Sequence, residues 1–154
     1  MDIYERLQEL KIVLPKAPPK GGVYAPVKHF GQGLVYVSGC GPVLDENING
    51  RLGKDFSTEE GMAFSRNCML NILAVLENNL GDLRKVKNAV KILTFVQCTD
   101  DFYEQPMVAN GGSQLLIDLF GPEKGTCSRS AIGVNALPGN IPVETEALFE
   151  IETE

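Results

Sequence analysis

The sequence has no tryptophan, a single histidine at position 29, and four cysteines at 40, 68, 98 and 127 that form no C-x-x-C pair. These scarcities exclude a zinc cluster of ordinary spacing and a redox dithiol. They leave the cysteines as small, mostly buried side chains suited to a reducing compartment. No metal and no cofactor is expected. Positive charge is also short, with 14 Lys and Arg against 20 Asp and Glu for a formal net charge of -6. Such a chain repels phosphate on average, so nucleic acid is not an expected partner. No apolar run approaches the ~20 residues of a membrane span. The opening MDIYERLQEL carries charges where a secretory signal needs an apolar centre. A cytoplasmic protein without membrane contact is the expectation. What remains is ordinary: 154 residues, 44% hydrophobic and 22% charged. A chain of that length buries roughly 70% of its unfolded surface and needs no disulfide or metal staple.

Ile3, Leu7 and Leu10 recur at helical spacing, and the LPKAPPKGG that follows stops the helix. Residues 1–20 are therefore read as a short helix and a Pro-rich arm, and residues 21–154 as a single domain. Two strands are expected at Tyr24–Phe30 and Gly33–Ser38, joined by a glycine-rich turn. Turn-forming residues then fill positions 39–56. Ser57 and Glu60 form a capping box before an apolar series of Met62, Met69, Ile72, Leu73, Leu76 and Leu80, and Gly81 ends it. In VKNAVKILTFVQ, Val86, Val90, Ile92 and Val96 predict one face of a strand and Leu93 and Phe95 make its other face partly apolar, which places it centrally. A second helix is predicted from Thr99 or Asp100 to Gly121. Its Gly111 and Gly112 weaken the middle and permit close approach of a neighbour. Two last strands, around SRSAIGV and PVETEALFEIE, read as one hairpin turning near Asn140. This order predicts an α+β, ferredoxin-like mixed sheet with two main helices on one face. The other face keeps apolar residues and no helix remains to cover it, so a symmetric oligomer is expected.

Few residues stand out as chemistry. Arg129 begins a neutral strand between Ser128 and Ser130; it is either a solvated strand-end arginine, the commoner case, or a planar fork for a carboxylate. Glu144 lies in a strand with glutamates at 144, 146, 150 and 152, which equally describes a polar face that discourages aggregation. In an ideal hairpin Glu144 sits opposite about Asn135, some ~20 Å along the strand from Arg129, so a bulge or a subunit boundary would be needed to join the two. His29, beside Lys28, has no nucleophile near it in sequence and is expected to be exposed and uninvolved. Cys40, between two glycines, lacks a neighbour that would lower its pKa and reads as inert.

Taken together, GGVYAP, LVYVSGCGP, SRSAIGV and ALPGNIPVETEA resemble the reactive intermediate deaminases, the Rid family, also called the liver perchloric-acid-soluble protein or L-PSP endoribonuclease family. The most specific part is the Arg129 strand followed by L-P and P-V-E-T-E. The resemblance implies a chorismate-mutase-like subunit assembled as a homotrimer, with clefts between subunits. It implies hydrolytic deamination of 2-imino or 2-enamino acids to 2-keto acids and ammonia without a cofactor. Arg129 would grip the carboxylate and Glu144 would place or activate water, while Tyr24, Ser38 and Gly39 would line the cleft from the neighbouring chain. Three positions depart from the family pattern. Ala131 replaces Cys two residues after the arginine, Cys40 replaces Gln, and Ser113 stands where Asn is usual. The extra N-terminal helix and VANGGSQLL mark a distinct subgroup. The alternative is a module that binds a small 2-keto acid without turning it over; ribonuclease activity is disfavoured by the acidic charge and single histidine.

Overall fold

The computed structural model describes residues 1–153. Helix α1 (Ile3–Glu9) is closed by a capping box in which Asp2 and Glu5 each accept from the other's backbone N–H. It is followed by β1 (Val27–Phe30), β2 (Leu34–Cys40), α2 (Thr58–Leu80), β3 (Val86–Gln97), α3 (Gln105–Gly125), β4 (Ser128–Val134) and β5 (Val143–Ile151). The capping box of α2 forms as expected between Ser57 and Glu60, and Gly81 caps its end with φ of 82°. That left-handed conformation costs glycine little.

The five strands run in the order β1-β2-β5-β3-β4. All neighbours are antiparallel except β3 and β4, which are parallel. The expected β4–β5 hairpin is therefore wrong. Helix α3 returns the chain to lay β4 parallel to β3 at the sheet edge, as a strand–helix–strand crossover does. The chain then turns at Pro138–Asn140 and sends β5 between β2 and β3. Strand β5 holds the centre in place of β3, which is interior beside it.

Register shifts in β3 between Val86 and Asn88 and between Ala89 and Lys91 change its faces. Val86, Ala89, Ile92, Thr94 and Val96 are buried, and Val90 leaves the expected set. Strand β1 starts three residues later than expected, because Tyr24–Pro26 form its lead-in. Helix α3 also starts later: Thr99–Glu104 is a turn, and Pro106 occupies the first helical turn, where its missing N–H costs nothing. Its last turn is broken at Gly121, with φ of 84° and ψ of 163°.

Both long helices cover one sheet face. The principal core joins Ile3 and Leu7 of α1 to Met69, Ile72, Leu73 and Leu76 of α2, Leu115, Leu116 and Leu119 of α3, and Phe149 of β5. A smaller cluster gathers Leu52, Phe64, Cys68, Val96, Val108 and Val143. The glycine pair in α3 does admit a neighbour: a Cβ at Gly111 would stand 1.9 Å from the Met62 carbonyl oxygen of α2. On the opposite sheet face Phe30, Tyr36 and Ile132 are 44%, 40% and 44% exposed, which leaves that face uncovered within one chain. Among the described residues no helix is long and apolar enough to cross a membrane.

Candidate active site

Glu144 sits one residue into the central strand, opposite Phe95 of β3 and on the face away from the helices. Beside it β2 carries an extra residue, since Val37 pairs with Ala147 but Cys40 pairs with Thr145. Such a bulge re-aims the backbone locally. It brings Gly39 so close that a Cβ there would lie 3.0 Å from the Glu144 carboxyl carbon and its Oε2. Glycine at 39 is thus what lets the carboxylate lie against the backbone. The other bulge residue, Ser38, donates from Oγ to the Ala25 carbonyl at 2.7 Å and from its backbone N–H to the Pro26 carbonyl at 2.9 Å. These bonds pin the lead-in of β1, and with it Tyr24, beside the bulge. Tyr24, Ser38, Gly39 and Cys40 line a cleft together with the end of the N-terminal arm, and Glu144 meets that lining at Gly39 without itself being part of it. The arm carries no motif, and the sequence offered no sign of its place here.

Burial raises the Glu144 pKa above the usual carboxylate range, and the neighbouring Glu146 raises it further. Glu146 accepts from the Tyr36 hydroxyl at 2.8 Å. The Cys40 thiol is pushed up to about 11, first by burial and then by Glu144, so it is neutral and a poor nucleophile. His29 is exposed on the edge strand, with Nε2 2.7 Å from the Asn79 side-chain oxygen, and it takes no part in the cleft.

Arg129 lies elsewhere. It pairs with Ile92 and faces the helical layer, where Nη1 donates to Asn110 Oδ1 at 2.7 Å and to Ser113 Oγ at 3.2 Å. Both acceptors are neutral, and among the described residues the guanidinium has no acidic partner. It is a half-buried cation held in position with its charge unanswered. Ala131, two residues on, shares its face and sits opposite Thr94. Asn110 was missed by the sequence reading, which looked to Ser113 alone. The signal was the polar pair three residues apart on an otherwise apolar stretch of helix, which stacks on one face.

Within one chain, then, Glu144 lies against Gly39, which lines a cleft with Tyr24 and Ser38, while Arg129 and Ala131 stand apart. Phe95 links the two through the ladder, opposite Glu144 on one side and Ile132 on the other. Arg129 is consequently about 10 Å along and about 10 Å across the sheet from Glu144, on the opposite face.

An α+β subunit with this sheet order, an uncovered apolar face and a split pair of charged residues defines a class of fold that the comparisons identify. Residues 5–147 match the family described as "YjgF/chorismate_mutase-like, putative endoribonuclease", and the chain belongs to that family. This is the kinship that the Arg129 and Glu144 motifs indicated. Protein TCP17 of Trypanosoma cruzi is 40% identical over 147 residues, spanning 94% of this chain and 91% of TCP17. The crystal structure of Atu1372 from Agrobacterium tumefaciens superposes with a TM-score of 0.87 at 35% identity, covering 97% of this chain and 92% of the other. A structure from Shewanella oneidensis described as "a putative endoribonuclease" superposes with a TM-score of 0.92 at 27% identity, covering 98% of this chain and all of the other.

Proposed function

We propose that the chain assembles as a homotrimer and hydrolyses reactive 2-imino and 2-enamino acids in clefts completed by two copies. Arg129 of one copy binds the substrate carboxylate, and the Glu144 cleft of the next receives the reacting carbon. The observation that carries this reading is the Arg129 guanidinium, anchored through Nη1 by Asn110 and Ser113 and, among the described residues, unmatched by any acid. A planar fork with one nitrogen fixed is preorganised for two parallel bonds to a carboxylate. The apolar residues left bare on the open sheet face support burial against further copies.

In the proposed reaction Glu144 takes a proton from water as the water oxygen bonds to C2 of the imine. The C=N π electrons move to nitrogen, which takes that proton from Glu144. In the resulting carbinolamine the hydroxyl proton passes to Glu144 and on to nitrogen, so the C–N bond breaks with ammonia as the leaving group and leaves a 2-keto acid and the free carboxylate. An enamine substrate first takes a proton at C3 and gives one up from nitrogen, which makes it the imine. Water is the only co-reactant, and a carboxylate with a raised pKa suits both halves of this proton shuttle.

A second reading, binding of a 2-keto acid without turnover, is favoured by Ala131, which puts no polar group on the strand beside Arg129. Ammonia release from an imino acid generated in place, followed alongside titration of 2-ketobutyrate, separates the two. Turnover supports the enzyme, binding without ammonia supports the module, and neither would contradict both.

A further inference from the structure

Among the described residues Gln97, the last residue of β3, is the largest polar side chain that is fully buried. Its side chain bonds at both ends. Nε2 donates to the Gly50 carbonyl at 2.8 Å and to Asn140 Oδ1 at 2.8 Å, and Oε1 accepts from the Leu137 N–H at 2.6 Å. Its backbone N–H donates to the Pro142 carbonyl at 2.8 Å, and its carbonyl accepts from the Leu52 N–H at 2.9 Å. One residue thus holds together the end of β3, the loop at 50–52 and the link between β4 and β5. No motif marks it, and the proposed reaction does not use it.

The grip on the link is most specific at Asn140. Its φ of 58° lies in the left-handed region, where a residue with a Cβ needs local bonds to hold it. Gln97 secures its side chain, and the Gly50 N–H donates to its carbonyl at 3.0 Å. From there the chain needs only Ile141, Pro142 and Val143 to reach Glu144. Ile141 presses on the end of β2, since a Cβ at Gly41 would lie 2.6 Å from its Cδ1. Val143 then enters the ladder opposite Val96, and Glu144 opposite Phe95. Gln97 lies two residues past Phe95 and shares the face that carries Glu144. The carboxylate comes to rest 3.0 Å from where a Cβ at Gly39 would stand, a fit that tolerates little movement of its strand.

We infer that Gln97 is a positioning residue for Glu144: by latching Asn140 it fixes how the link enters β5 and so how the carboxylate meets Gly39. The inference rests on the proposed reading of Glu144 as the acid–base group. Arg129 precedes the link and keeps its own bonds to Asn110 and Ser113, so loss of the latch should act on turnover and spare carboxylate binding.

The test uses the full chain and three variants. Each is assayed for ammonia release and titrated calorimetrically with 2-ketobutyrate, and the Glu144 carboxyl carbon is followed by NMR as pH is varied. Gln97→Met keeps the length of the side chain and removes its three bonds. Asn140→Gly removes the latch alone and tolerates the positive φ, so it decides the matter should Gln97→Met fail to fold. Asn140→Asp keeps an oxygen for Gln97 Nε2. In Gln97→Met and Asn140→Gly kcat should fall about 10-fold, while affinity for 2-ketobutyrate stays within about twofold. The Glu144 carboxyl should titrate at lower pH than in the wild type, because a displaced carboxylate is better solvated. Glu146 on β5, the Tyr36 hydroxyl and neutral Cys40 on β2, and Phe95 on β3 are its neighbours in every variant. Asn140→Asp should keep the wild-type values. A folded Asn140→Gly with unchanged kcat, an unmoved Glu144 titration or an equal loss in binding would overturn the inference, as would an Asn140→Asp that behaves like Asn140→Gly. A wild type without ammonia release would contradict the proposed function instead, and the carboxyl titration would then decide the positioning inference by itself.

Discussion

The Arg129 edge and the Glu144 cleft are built on opposite principles. At the edge, a cation is held by two neutral acceptors from α3 and, among the described residues, meets no acid. In the cleft, a half-buried carboxylate lies against the Gly39 backbone, and its nearest charged influence is another glutamate. Each half carries an electrostatic cost that the other would relieve. Within one chain they lie on opposite sheet faces, so neither half accounts for its own design. In the proposed reading the complete site lies between copies, with the substrate as the group that joins them.

The largest effect is expected at the carboxylate. Glu144→Gln should lower kcat by about 100-fold or more, the usual scale of a lost acid–base group, and leave 2-keto acid binding nearly unchanged. Steady-state assay paired with calorimetry checks both halves of that statement. Arg129→Ala should act on affinity as well, weakening 2-keto acid binding or kcat/KM by roughly 30- to 1000-fold. That corresponds to about 2 to 4 kcal/mol for a desolvated bidentate contact. Arg129→Lys should recover only part, because an ammonium lacks the planar fork. Asn110→Ala is the sharper probe of positioning. It removes one neutral bond to the guanidinium and should raise KM by about 5-fold, while kcat and the shape of the pH profile stay as in the wild type.

The smallest effect is on stability, and its sign is diagnostic. The folded-state pKa of Glu144 lies above its unfolded value. Between the two pKa values the folded state binds more protons, so stability falls as pH rises through that window and the cost persists above it. Glu144→Gln removes the cost, so thermal unfolding near pH 7 should show a modest gain in Tm that disappears well below the usual carboxylate pKa. The same raised pKa should place the acidic limb of the kcat profile above that of an ordinary carboxylate.

What the sequence made legible was local. The Ser57 and Glu60 capping box, the Gly81 stop and the strand in PVETEALFEIE are decided by residues a few positions apart, and all three appear as read. Strand order was not legible, because pairing depends on which distant segment competes for an edge. A short link near Asn140 looks like a hairpin until β3 takes the place between β4 and β5. The late start of α3 was hidden because Thr99 and Asp100 are residue types that cap helices, while the chain turns through Thr99–Glu104 before the helix begins. For the candidate site, the motif named Arg129, Glu144, Tyr24, Ser38 and Gly39. It was silent on Asn110 and on the arm at Pro18–Lys20, which reach their partners only through packing.

The claim that two copies build one site is tested most directly by complementation. Arg129→Ala and Glu144→Gln chains, each inactive alone, are unfolded, mixed in equal amounts and refolded together, with assembly state checked by light scattering. In random trimers about one interface in four pairs an intact Arg129 with an intact Glu144, so the account predicts recovery of about one quarter of the wild-type ammonia release. Mixed trimers that form and stay inactive, or assemblies that remain monomeric while the wild type is active, would contradict it.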